Sequence, residues 1–185
     1  GKSTFLKAAA INAILSQTIH TALCRHYEAS CFQVMTSIAL TDNLFEKESY
    51  YIVEIKSLKR ILDAASNARP TLCFVDEVLR GTNTVERISA SSRVLVSLAM
   101  ANAICFAATH DVELTHLLEE YYVNYHFEEQ IKDGQVVFDY QLKDGRATSQ
   151  NAIWLLGMMG YPDELIQAAK QTAQHFMETG EWRLG

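Results

Sequence analysis

Positive charge is in short supply in this sequence. Sixteen Lys and Arg stand against 22 Asp and Glu, a formal net charge of −6, and no basic run is longer than two. A free-standing nucleic-acid surface normally carries a basic patch that neutralises phosphates, so direct nucleic-acid binding by these residues is not expected. Long apolar runs are missing too. None approaches the roughly 18 residues of a membrane span and no signal peptide is visible, so the expected setting is the cytoplasm (bacterial cytosol or nucleoid) with no membrane partner. The four cysteines, Cys24, Cys31, Cys73 and Cys105, show no C-x-x-C spacing. Two of them sit inside apolar runs, where they read as small buried hydrophobes in a reducing compartment rather than as disulfides or zinc ligands. Only two prolines occur, and no repeat, low-complexity tract or linker breaks the chain. An initiator methionine is lacking before Gly1, so the chain is expected to be a piece of something longer.

What is present centres on Thr71–Thr84. Leu72–Val75 is an unbroken apolar run, too short for a buried helix, and two carboxylates follow it at once. A strand covered on both faces of a parallel sheet reads this way. Parallel sheets bind ligands at the carboxyl ends of their strands, and Asp76 and Glu77 stand at that end. One carboxylate could serve a metal and the other a water; taken alone, such a pair is more often a solvated strand exit. At 49% hydrophobic, 185 residues can bury one good core, and one α/β unit with a helical tail over residues 148–185 is expected.

Upstream, Gly1-Lys2-Ser3-Thr4 opens a helix whose apolar positions Phe5, Ala8, Ile11, Leu15 and Ile19 recur three and four apart. This is the second half of a phosphate-binding loop, G-x-x-x-x-G-K-[ST], or simply a capped helix start. Helix N-terminal amides attract phosphate, Lys2 supplies a point charge, and Ser3 offers a hydroxyl to Mg²⁺. Residues 32–40 alternate as a strand, and 41–49 are a polar loop. Tyr51, Ile55, Leu58, Leu62 and Ala65 trace a helix face with Ser49 where an N-cap belongs. The turn 78–84 leads to a helix carrying Ile88, Leu95 and Leu98 beside small Ser91, Ser92 and Ala99. Ala103–Thr109 reads as a second buried strand ending in His110-Asp111, and 111–118 as a short helix. Residues 122–128 and 135–142 alternate around Lys132-Asp133-Gly134, a hairpin signal. Helices are expected over 151–159 and after Pro162, the latter with Ile166, Ala169, Ala173 and Phe176 on one face.

Three polar constellations thus end up on one sheet edge: a phosphate-type helix start, Asp76-Glu77, and His110. Together they describe a Mg-nucleotide site in which Asp76 holds the metal, Glu77 polarises a water and His110 reads the γ-phosphate or that water. The chain here resembles a known family. Gly1–Thr4, Phe74–Thr84 and Ala108–Asp111 look like the Walker A, Walker B/D-loop and His-loop segments of the MutS mismatch-repair ATPase. Asp144–Ser149 with Gly160–Ile166 is similar to that family's C-terminal stretch. The resemblance spans essentially the whole chain and begins partway through Walker A. It implies an ABC-type P-loop ATPase, α/β with a central mostly parallel sheet flanked by helices, a β-hairpin and C-terminal helices near a dimer interface. It implies ATP and Mg²⁺ as cofactors, a second copy or a paralogue as partner, and DNA held by upstream domains. Residue by residue, it implies nucleotide contacts from Gly1, Lys2, Ser3 and Thr4, metal contacts from Ser3 and Asp76, and catalysis by Glu77 and His110. Ser49 matches the signature serine that reaches the partner's γ-phosphate, and Tyr140 falls where the family places an aromatic near adenine; the bland alternatives are an N-cap and a cross-strand core aromatic. Two departures stand out: Leu79 where the family usually has Gly, and Tyr50 where it has Thr.

Two other readings follow. A chromosome-maintenance ABC ATPase would carry an L-S-G-G-Q-like signature, and none occurs. A nucleotide-gated dimerisation module that does not read mismatches would keep the motifs and lose turnover. From the charge balance, an electrophoretic mobility shift with these residues alone should show no binding to duplex DNA. A shift that weakened steeply with salt would overturn that expectation.

Overall fold

The computed structural model describes residues 1–38, 50–132, 135–147 and 152–183. Elements run α1 (Lys2–Ile19), β1 (Gln33–Ser37), α2 (Tyr50–Ala65), β2 (Thr71–Asp76), α3 (Thr84–Ala99), β3 (Ala103–Ala108), α4 (Val112–Leu117), β4 (Tyr125–His126), β5 (Glu129–Lys132), β6 (Gln135–Phe138), β7 (Lys143–Asp144), α5 (Ala152–Met158) and α6 (Asp163–Thr179). They group into two compact units, one of residues 1–126 with 144–146, the other of 127–143 with 147–185.

The first unit is built on a parallel sheet in the order β1-β2-β3. Val34 lies opposite Leu72 and Leu72 opposite Ile104, a register that continues to Asp76 opposite Ala108. All six residues of β2 are buried, as the apolar run demands, because each face meets a different layer. On one side Leu72 and Phe74 pack with Leu6, Ala10 and Ala13 of α1. On the other, Cys73 and Val75 meet Leu58 and Ile61 of α2, Leu95 and Leu98 of α3, and Leu114 of α4. Burying a side chain such as Phe74 is worth about 1.5–3 kcal/mol. The ladder runs one residue past the strand: the Glu77 N–H donates to the Ala108 carbonyl at 2.9 Å.

Several expectations are corrected. The buried stripe of α1 is Leu6, Ala10 and Ala13, while Ile11 and Ile19 are exposed; small alanines let the helix settle close to the sheet, and the branched residues turn outward. On α2 the inward stripe is Glu54, Leu58, Ile61 and Ala65, with Ile55 outside. Strand β3 is not covered on both faces: Ile104 is 50% and Phe106 38% exposed, on the face where α1 packs chiefly over β2. Residues 122–126 do not form the first arm of the hairpin. The Tyr122 hydroxyl donates to the Leu95 carbonyl at 2.8 Å and the Asn124 amide to the Thr115 carbonyl at 3.1 Å, which commits this stretch to the first unit.

In the second unit the hairpin arms are β5 and β6, antiparallel, with Glu129 opposite Phe138 and Lys132 opposite Gln135. Asp133 and Gly134 of the expected turn lie outside the described residues. Lys143 bonds the Glu128 carboxylate at 2.7 Å and pairs with Asp139 at 3.3 Å, and these acids raise its pKa. Helix α6 follows Pro162 with Asp163 and Glu164 in its first turn, and it buries Ile166. Gly180, at φ 74°, ends it with a bond from its N–H to the Phe176 carbonyl. No described helix is long and apolar enough to cross a membrane.

Gly81 fixes how the turn after β2 lies on α2. A Cβ at this position would stand 2.9 Å from the Tyr51 Cβ and 3.0 Å from its Cδ2, and a Cβ, unlike the tip of a flexible side chain, cannot swing away. Gly81→Ala should therefore destabilise the chain by about 1–3 kcal/mol. A chemical-denaturation midpoint unmoved by the substitution would show that turn and helix separate freely.

Candidate functional site

The carboxyl ends of β2 and β3 and the first turn of α1 meet at one edge of the sheet. Thr71–Val75 is held by the core on both sides, so the acids that follow emerge at a defined height. Asp76 is the last strand residue and buried. Glu77 leaves the strand with φ 57°, and Leu79 follows with φ 58°. Two non-glycine residues in the left-handed region within three positions reverse the chain direction sharply, at a cost of roughly 1–2 kcal/mol each.

Both oxygens of Glu77 are engaged. Oε1 lies 3.3 Å from the His110 Nε2, and Oε2 pairs with the Arg80 guanidinium. The Glu77 side chain is only 20% exposed, His110 74%. Lys2, in the first turn of α1, donates to the Thr109 carbonyl at 2.9 Å and lies 3.2 Å from the His110 Nδ1. Burial lowers the Lys2 pKa, opposed by the charges of Glu77 and Asp76 and assisted by Arg80. The ammonium is thus a partly desolvated cation beside two acids.

Of the residues singled out in the sequence, His110 contacts both Lys2 and Glu77, and Glu77 and Asp76 act electrostatically on Lys2. Gly1 caps α1 through its carbonyl, which accepts the Phe5 N–H at 3.0 Å. Ser3 and Thr4 are exposed on the same helical turn. Ser49 lies outside the described residues. Tyr140 belongs to the second unit; it stands beyond the end of β6 rather than within a strand, at φ 54° and 72% exposed, so it is not a cross-strand core aromatic.

Sequence reasoning passed over three supports. Glu54, buried on α2, accepts the Leu79 N–H and so holds the second left-handed residue in place. Arg87 at the start of α3 grips Asp111 with two bonds, Nε to Oδ2 at 2.9 Å and Nη2 to Oδ1 at 2.6 Å. Ser91, fully buried, donates to the Val78 carbonyl at 3.3 Å. The signal for Glu54 was there to be found: a carboxylate three residues after Tyr51 and four before Leu58 sits on the apolar stripe.

Burial raises the Glu54 pKa above its ordinary 4.5, and the Leu79 and Arg80 amides only partly offset this. The unfolded chain, at the ordinary value, then gives up this proton at lower pH than the folded one. Stability falls as pH rises from 4.5 through the folded value, and the full penalty persists above it. Glu54→Gln keeps the acceptor for Leu79 and removes the charge. It should melt higher than the parent at pH 8, with the gap closing toward pH 4.5; a pH-independent gap would contradict this reading.

Comparison with known proteins adds the family. MutS domain V matches residues 1–177. The DNA mismatch repair protein MutS of Thermus aquaticus is 30% identical over 94% of this chain and 21% of its own length. MutS of Thermus thermophilus is 29% identical over 92% and 21%. DNA mismatch repair protein MutS 2 of Haloarcula marismortui is 29% identical over 92% and 18%. The chain spans about a fifth of the length of these relatives. With strand-end acids, helix-start lysine and loop histidine on one sheet edge, and a match over nearly every residue, the chain belongs to the MutS family and corresponds to its domain V.

Proposed function

We propose that this chain is the ATP-binding and ATP-hydrolysing domain of a MutS-type protein acting in DNA mismatch repair, with an ABC-type P-loop architecture. The observation that carries the reading is the contact of His110 with both Lys2 and Glu77 at the carboxyl edge of a parallel sheet, beside buried Asp76. Phosphoryl transfer asks for positioned charge rather than covalent chemistry, and this edge offers two cations, Lys2 and Arg80, two carboxylates and an imidazole.

The donor set fits Mg²⁺. Asp76 and the Ser3 hydroxyl are hard oxygen donors, and Mg²⁺ in nucleotide sites takes one or two protein oxygens and completes its shell from phosphate and water. Among the described residues no cluster of three or more His, Cys, Asp or Glu could cage a metal without such help. When bound, the metal would neutralise charge on the phosphates. Lys2 supplies a second positive charge at the helix start, where Gly1–Thr4 present backbone amides to phosphate. Glu77 polarises the attacking water. To do so it must release one of its two partners, and exposed His110 at 3.3 Å costs less to release than Arg80. His110, freed from Glu77, reports the γ-phosphate or the water.

Two such domains, identical or paralogous, close on each other when ATP binds, with Ser49 reaching the partner's γ-phosphate and hydrolysis reopening the pair. DNA is held by parts of the parent protein outside these residues, in keeping with their net charge of −6.

In the full-length protein, Glu77→Gln should cut steady-state ATP turnover by about 10²–10⁴-fold, the range of a lost general base, while ATP-driven dimerisation persists. Phosphate release at the parental rate would remove Glu77 from the mechanism.

A further inference from the structure

Asp111 occupies the N-cap position of α4, where an aspartate ordinarily turns its carboxylate onto the first amides of the helix. Here it makes no such bond. Both oxygens instead go to Arg87, Nε at 2.9 Å and Nη2 at 2.6 Å, the parallel fork that matches guanidinium to carboxylate. The pair is largely shielded, with side-chain exposures of 23% and 15%, and the bonds to Asp111 are the leading cause of a raised Arg87 pKa. An acid diverted from its cap to a partner on another helix is held there for something other than α4.

The link joins the segment after β2 to the bend after β3, the two stretches that carry Glu77 and His110. The Asp111 N–H donates to the Thr109 Oγ1 at 2.9 Å, which folds residues 109–111 into a tight bend with His110 at its apex. The His110 ring is mostly exposed, so no packing walls fix it; its backbone and its two polar neighbours, Lys2 and Glu77, decide where it stands. Arg87 is in the first turn of α3, and that turn is itself anchored. Asn83 accepts the Glu86 N–H at 3.0 Å, and the Thr82 hydroxyl donates to the Glu86 carboxylate at 2.8 Å. The chain from Glu77 through 80–83 to Arg87, across to Asp111 and back through His110 to Glu77, is a closed ring.

We propose that Arg87 and Asp111 are positioning residues for His110: their two-pronged ion pair fixes the β3–α4 bend relative to the turn after β2, and so sets the distance between imidazole and the Glu77 carboxylate. The inference rests on the proposed ATPase reading for its kinetic consequence, not for its geometric one. Asp111→Asn breaks the ion pair and keeps the bulk. Arg87→Lys keeps a charge and loses the fork, and guards against misfolding of the first variant.

The test uses the full-length protein and two readouts. In ATP turnover, Asp111→Asn should lower kcat on the order of tenfold, as expected for a misplaced catalytic group, with KM within about twofold and Arg87→Lys intermediate. In a His110→Ala background Asp111→Asn should cost nothing further, because its effect runs through His110. An equal loss of kcat in both backgrounds, or a lowered melting temperature with kcat intact, would make the pair merely structural and overturn the proposal. In nucleotide-free protein, Asp111→Asn should also move or broaden the His110 ring signals in ¹H–¹³C NMR and leave the other histidines in place. Unchanged His110 signals overturn the positioning claim whatever the turnover. If the parent hydrolyses no ATP but those signals move, the ATPase reading fails and the positioning role stands.

Discussion

Everything at the candidate site depends on the double-sided burial of β2. Six consecutive residues are withdrawn from water because α1 presses on one face and α2, α3 and α4 on the other. A strand held this way cannot slip in register without exposing Phe74 or Val75. The two acids that follow it are therefore delivered at a fixed height beside β3, whose pairing carries one residue past Asp76 to the Glu77 amide. Carboxylates at a frayed strand end would be solvated and mobile; here the apolar layers hold both acids in place, as preorganised charge requires.

The charge arrangement follows the same logic. Lys2, Glu77, Arg80 and His110 alternate in sign or donor character around the edge, so that each ion has a partner. Lys2 is partly desolvated and its pKa lowered by burial, yet two acids keep the cationic form favourable. A phosphate arriving here would meet a cation already partly desolvated, which strengthens attraction relative to an exposed lysine. Glu54 plays the complementary part from below, its buried carboxylate tied to the Leu79 amide.

Much of this was legible in the sequence, for definite reasons. Leu72–Val75 followed by two acids reads as a strand and its exit because no other element fits so short an apolar run. His110 reads as a second strand end for the same reason. The α1 stripe was not legible: counting large side chains selects Ile11, Leu15 and Ile19, whereas close approach to a sheet selects Leu6, Ala10 and Ala13. The exposure of β3 was hidden because an edge strand and a central strand can share a composition. The first hairpin arm was misjudged because the stretch 122–126 serves other partners: Tyr122 and Asn124 bond to α3 and α4, and Tyr125–His126 pairs with β7 rather than with β6. The Arg87–Asp111 link escaped because 24 residues separate its ends and nothing in local pattern connects them.

Leu79 has one more consequence, for how this position can drift over evolutionary time. Its backbone sits in a region that glycine enters freely, yet its side chain is 4% exposed within the cluster formed by Leu58, Ile61, Val75 and Leu95. Glycine would relax the turn and leave that cluster one leucine short; leucine fills the cluster and strains the turn. Neither choice is free, so the residue at 79 and the bulk of its neighbours are expected to change as a set. A lineage that swaps one for the other should show compensating volume on α2 or α3, a correlated signature readable from sequences alone.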